Sequence, residues 1–171
     1  MLIVDKNFLK IDKTTTPKEI KAAIKSGAVD VNAIYDDDEG TTALMHAAIH
    51  SNNPKTLSTL IKNGADANAE DENNWTALMY AITYSNNPKI LSTLLKNGAD
   101  ADVMDIQGNT ALDFAIMMEK LEIALVLIKY GAYMSLADIK TLIPFIQKVE
   151  NENSGYIADL IDKVAGYQVG L

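Results

Sequence analysis

The residues of this 171-residue chain whose types could do chemistry are few, and none falls in a catalytic arrangement. The two histidines, His46 and His50, lie four apart. On a helix that spacing sets both imidazoles on one face, where a metal ion can bridge them. No third ligand accompanies them, and no nearby glutamate completes a zinc-protease pattern. The run Asp36-Asp37-Asp38-Glu39-Gly40 supplies carboxylates without the spaced ligands and closing glutamate of a calcium loop, so it reads as solvated acid on a turn. Cysteine is absent, which removes disulfides, thiolate metal sites and thiol nucleophiles. There is no glycine-rich phosphate loop, nucleophile elbow or pair of catalytic acids. The expectation is a non-enzymatic protein with no catalytic residue, cofactor or metal.

Charge narrows the partners. The net charge is −8, and all 15 basic residues are lysine. Nucleic-acid binding rests on clustered basic residues, and phosphate recognition favours the arginine fork, so nucleic acid is not expected as a partner. No apolar run approaches the ~18 residues of a membrane-crossing helix. The opening Met1-Leu2-Ile3-Val4-Asp5-Lys6 puts apolar before basic, the reverse of a secretory signal. A cysteine-free chain of this kind suits a reducing cytoplasm; a secreted effector is the second expectation.

The elements that carry these residues repeat. Thr42-Ala43-Leu44, Thr76-Ala77-Leu78 and Thr110-Ala111-Leu112 follow one another at 34-residue intervals. Lys62-Asn63-Gly64-Ala65-Asp66 returns as Lys96-Asn97-Gly98-Ala99-Asp100 and more loosely as Lys129-Tyr130-Gly131-Ala132, after an earlier Lys25-Ser26-Gly27-Ala28. A fixed period of this length signals stacked supersecondary units. Each unit reads as two helices. The first starts at the threonine and is apolar at Leu44, Ala47 and Ala48, and again at Leu78, Ala81 and Ile82. The second opens on Asn53-Pro54 or Asn87-Pro88, a capping side chain followed by proline where no amide hydrogen is needed. Thr16-Pro17-Lys18-Glu19 opens the same way, with Glu19 placed to close a capping box. Three, four and seven residues before each glycine stand Ile61, Leu60 and Leu57, then Leu95, Leu94 and Leu91, then Ile128, Leu127 and Ala124, with Ile24, Ala23 and Ile20 in the first unit. That is one apolar stripe in constant register. Gly64, Gly98 and Gly131 fall where a helix ends in a left-handed residue.

With Asp105-Ile106-Gln107-Gly108-Asn109-Thr110-Ala111-Leu112, these residues resemble the ankyrin repeat over about residues 14 to 134. Departures are local. Alanine follows each threonine where proline is usual, Met45, Met79 and Asp113 replace a histidine, and Asn74 replaces a glycine. The Asn-Asn-Pro units hold one extra residue between their helices, which predicts a bulged turn. The resemblance implies an all-α ankyrin-repeat solenoid with finger loops, closed by a non-repeating helical C-terminal cap. We expect one domain over 1–171: a degraded N-terminal repeat or cap over 1–37, repeats at 38–71, 72–104 and 105–134, and the cap over 135–171. Residues 5 to 13 read as a degraded first helix. In the cap, Ser135 and Asp138 form a start signal ahead of Ile139, Leu142, Ile143, Ile146 and Val149, with Pro144 breaking the helix; after a polar break at 151–155, Ile157, Leu160, Ile161 and Val164 make a last amphipathic helix.

The resemblance also implies where a partner binds, since finger tips and the exposed side of the first helices form the concave surface of such arrays. Carried over by position, these are Tyr35, Asp38, Glu39, Thr41, Ile49 and His50; then Glu70, Glu72, Asn73, Trp75, Thr83 and Tyr84; then Met104, Ile106, Gln107, Asn109, Met117 and Met118. Trp75 is the sharpest of them, because its counterparts Thr41 and Asn109 are polar and the position does not demand an apolar residue. It is either a binding hot spot or a ring folded onto the neighbouring finger. His46 aligns with Tyr80 and Phe114, a packing position. The expected function is a monomeric protein–protein interaction scaffold for another protein, a basic one, in an inhibitor, immunity-type or effector role. The alternative is a structural array that self-assembles through its C-terminal cap.

Overall fold

The computed structural model describes residues 3–5, 8–35, 40–85, 87–135, 137, 138 and 140–142. The chain forms two compact units, Met1–Ala132 and Tyr133–Leu171. The first unit begins with a two-stranded antiparallel hairpin, β1 (Ile3–Asp5) and β2 (Phe8–Lys10), in which Val4 lies opposite Leu9. This corrects the degraded helix expected over residues 5 to 13. The physical reason is a period of two: Leu9 and Ile11 are buried on either side of exposed Lys10. Asp12 then ends the extended run. Its carboxylate accepts hydrogen bonds from the Thr14 amide and hydroxyl, both at 2.7 Å, and these bonds hold its pKa down to about 2.

Among the described residues of the first unit seven helices follow: α1 (Pro17–Lys25), α2 (Ala43–His50), α3 (Pro54–Lys62), α4 (Ala77–Tyr84), α5 (Pro88–Lys96), α6 (Ala111–Met117) and α7 (Leu121–Lys129). Their starts obey the expected chemistry. The Glu19 carboxylate accepts from the Thr16 amide at 2.9 Å, closing the capping box. Asn53 and Asn87 accept from Lys55 N at 3.1 Å and Lys89 N at 3.0 Å, one residue past the prolines that open α3 and α5. Gly64, Gly98 and Gly131 end the second helices at φ between 93° and 99°. The extra residue of the Asn-Asn-Pro units does not lengthen the turn at 51–53, which has three residues as does the turn at 118–120. It lengthens the first helix, eight residues in α2 and α4 against seven in α6.

The helices form two layers, α2, α4 and α6 side by side in one and α1, α3, α5 and α7 in the other, with each first helix packed on its own second helix. The apolar stripe is the seam. Leu57, Leu60, Leu91, Leu94 and Leu127 are fully buried, each worth roughly 1.5–3 kcal/mol of transfer free energy. Ile24, Ile61 and Leu95, one position nearer the glycine, are only half-buried and mark the edge of the stripe. Apart from the N-terminal hairpin the named elements are helical, so the all-α repeat solenoid stands.

Repeats are also tied by polar bonds. Asn32 Nδ2 donates to Gly64 O at 2.8 Å while its Oδ1 accepts from Asp66 N at 2.8 Å. Asn68 repeats this one unit on, to Gly98 O at 3.1 Å and from Asp100 N at 2.7 Å. In the second unit the expected start signal is formed: Asp138 accepts from Ser135 N at 2.6 Å, and Asp138 N donates to Ser135 Oγ at 3.2 Å. The rest of the expected cap, from Ile143 through Val164, lies outside the described residues.

Candidate functional site

The fingers of the third and fourth repeats are each a turn held by one buried carboxylate. Asp71 Oδ1 accepts from Asn73 N and Trp75 N, both at 2.8 Å, and Oδ2 accepts from the Tyr80 hydroxyl at 2.7 Å. Asp105 Oδ1 accepts from Gln107 N at 2.9 Å and Asn109 N at 2.7 Å. Burial pushes the Asp105 pKa up, but the bonds from the Asn109 amide and side chain and from Gln107 outweigh it and hold the carboxyl below its ordinary value. The turns reverse at a left-handed residue, Gly108 at φ 84° and, in place of the usual glycine, Asn74 at φ 58°. Adjacent fingers are joined where Ile106 N donates to Asn73 O at 3.1 Å. The finger of the second repeat is framed by the bridge between Ile34 and Thr42 and by Tyr35 N donating to Thr41 O at 2.8 Å.

Rings run from the fingers onto the first helices and show that both contribute to one face. Tyr35 stacks on His46 at 4.2 Å between centroids, and His46 lies 5.8 Å from His50. One repeat on, Trp75 meets the Tyr80 ring edge-on at 5.2 Å, and Tyr80 stacks on Tyr84 at 6.1 Å. Trp75 also meets Phe114 of the next repeat edge-on at 4.9 Å. Half-buried Trp75 is therefore a joint between two units. Neither Tyr80 nor Phe114 stood out in the sequence as its partner, because only the stacking of units brings residues 75 and 114 together.

The carried-over positions separate into two groups. Tyr84 and Ile106 are 57% exposed, Met117 60% and Met118 41%, and His50, Glu70, Glu72, Asn73, Met104 and Gln107 are exposed with them. The others are engaged. Thr41 is buried, its hydroxyl 2.9 Å from His46 Nε2, so it serves the packing of its own repeat and offers a partner no surface. Asn109 Nδ2 donates to the Asp105 carboxylate, and the half-buried Thr83 hydroxyl donates to Met79 O at 3.0 Å. Tyr35 is half-buried beneath its stack with His46. Asp38 and Glu39 lie outside the described residues.

One electrostatic feature belongs to no motif although the sequence contains it. Segments 26–54, 63–88 and 97–119, which hold every finger and first helix of the repeats, contain no lysine, while acidic residues recur in each. The lysines of the repeats lie on the second helices, at Lys55, Lys62, Lys89, Lys96 and Lys129. Lys120, in the turn after α6, donates to the carbonyls of Ile82 and Thr83, neutralising the C-terminal end of α4. Among the described residues no three His, Asp or Glu side chains are grouped to hold a metal ion, and no helix is long and apolar enough to cross a membrane.

Stacked two-helix units with finger turns define a repeat-solenoid protein. The model of the family described as ankyrin repeats (3 copies) matches residues 48–138, and the chain belongs to that family. Ankyrin repeats generally mediate protein–protein interaction. No curated protein matched the chain.

Proposed function

We propose that the chain is a non-enzymatic scaffold that binds a basic partner protein on the face formed by its fingers and first helices. The carrying observation is the segregation of charge: the finger and first-helix segments have acidic residues and no lysine, Lys120 being engaged on carbonyls at the end of α4, whereas the second helices carry the cations. A cationic partner is drawn to the first surface and repelled by the second, which favours one docking orientation and raises the association rate. Exposed Tyr84, Met117, Met118 and Ile106 supply the apolar contact that charge alone does not. An inhibitor, immunity-type or effector role fits a module that works by covering a basic protein, in the cytoplasm or after export.

The test is affinity capture from the source organism with the chain and with a Tyr84→Ala/Met117→Ala/Glu72→Lys variant. All three side chains are exposed, so the variant keeps the fold. The expected result is a basic protein retained by the chain and absent from the variant. A partner retained equally by both sinks the assignment of this face. Trp75→Ala is the poorer probe, since it also removes the joint to Phe114.

A further inference from the structure

Aligned positions change character from one repeat to the next. Glu70 gives way to Met104, Glu72 to Ile106, Thr83 to Met117, and Tyr84 to Met118. All of these except half-buried Thr83 are exposed. The third repeat thus presents an acidic finger and a tyrosine at the end of its first helix, and the fourth an uncharged finger tip with Met104 and Ile106 and a first helix that ends in exposed Met117 and Met118. None of the four apolar residues is demanded by the repeat, because polar or aromatic residues hold the same places one unit earlier. Exposed apolar residues on one repeat and an acidic pair on the finger of the repeat before it are complementary to one kind of surface.

We infer that the partner docks through a bipartite segment: a lysine- or arginine-rich part against Glu70 and Glu72, joined to large apolar side chains against Met104, Ile106, Met117 and Met118. This rests on the interaction face proposed above and specifies its occupant. Packed helices of neighbouring repeats lie about 8–10 Å apart. An extended chain advances about 3.3 Å per residue, so the basic and apolar parts of the segment are separated by about three residues. The order of the repeats fixes the segment's direction, since reversal sets cations on the methionines and apolar groups on the glutamates. Methionine suits such a site because its unbranched, polarisable side chain adapts to several apolar shapes.

The experiment selects random dodecapeptides displayed on phage against the full chain, discarding those that also bind the Tyr84→Ala/Met117→Ala/Glu72→Lys variant. The expected survivors hold a lysine or arginine cluster within about three residues of leucine, isoleucine, methionine or phenylalanine. As synthetic peptides they are expected to weaken about tenfold or more with Glu70→Lys/Glu72→Lys, and likewise with Ile106→Ser/Met118→Ser, as loss of central interface contacts does. Raised salt is expected to weaken binding to the chain and not to weaken the residual binding of the charge-reversed variant, whose lysines repel the peptide. Survivors of any other composition, or survivors indifferent to one of the two pairs, overturn the bipartite segment and leave the interaction face standing. No survivors at all overturn both.

Discussion

Asn74 holds a left-handed backbone at φ 58°, where Gly40 and Gly108 stand in the flanking fingers at 70° and 84°. Asparagine tolerates this region better than most residues, and β-branched side chains tolerate it least. Asn74→Gly is therefore expected to leave stability level or raise it slightly, while Asn74→Val costs about 1–2 kcal/mol in denaturant unfolding. Equal midpoints for the two variants would contradict the strain. Trp75→Ala is expected to cost about 2 kcal/mol, because a half-buried ring loses its contacts with both Tyr80 and Phe114; unchanged stability would show that the joint carries nothing. Three carboxyls, Asp12, Glu19 and Asp105, are held below their ordinary pKa by hydrogen bonds in the fold. A depressed folded-state pKa contributes stability that is complete above the unfolded value of about 4 and is lost as pH falls through the folded value. The melting temperature is thus expected to be insensitive to these groups near pH 7 and to fall below about pH 4. Asp105→Asn should be less stable at neutral pH and show a shallower acid loss; an acid slope equal to the parent's would remove Asp105 from the linkage.

At the scale of elements, helix starts and repeat joints are separable. Thr110 caps α6, accepting from Asp113 N at 3.3 Å while the Asp113 carboxylate accepts from Thr110 N at 2.7 Å. Thr76, at the same place before α4, is buried and its hydroxyl has no hydrogen-bond partner among the described residues. Thr110→Ala is expected to cost about 1 kcal/mol through the lost cap, and Thr76→Val to be neutral or stabilising, since a buried unpaired hydroxyl is replaced by a methyl. The two variants' unfolding midpoints check this, and a larger loss at Thr76 would contradict it. The asparagine ladder is the corresponding device between units. Asn68→Ala removes a donor and an acceptor that join the second and third repeats, and is expected to cost about 1–2 kcal/mol. Hydrogen exchange should quicken in α6 and α7 more than in α1, because a solenoid transmits stability between neighbours.

For the molecule as a whole, charge segregation makes a kinetic claim. If the proposed partner is basic, its association rate falls steeply as salt rises from about 0.05 to 0.5 M, while dissociation changes little. Stopped-flow association with the captured partner measures this, and a salt-independent rate would leave the acidic face without its role. The lysine-free segments matter here because attraction and repulsion act on opposite layers of the same stack.

The repeat period, the helix starts at Asn-Pro and Thr-Pro, the glycine stops and the apolar stripe were all legible in the sequence, because each depends on residues within one or two turns of each other. The candidate positions were legible only as an alignment. Stacking then decided which remain available: Thr41 is drawn under its own repeat, Asn109 is bound to Asp105, and Trp75 is shared with Phe114, whereas Tyr84, Ile106, Met117 and Met118 stay exposed. The N-terminal segment was misread as helix because two buried residues flanking one exposed lysine fit either period until β1 pairs with β2. Local spacing determines which elements form. Only the folded contacts, within a repeat for Thr41 and Asn109 and between repeats for Trp75, decide which side chains are spent on packing and which stay exposed.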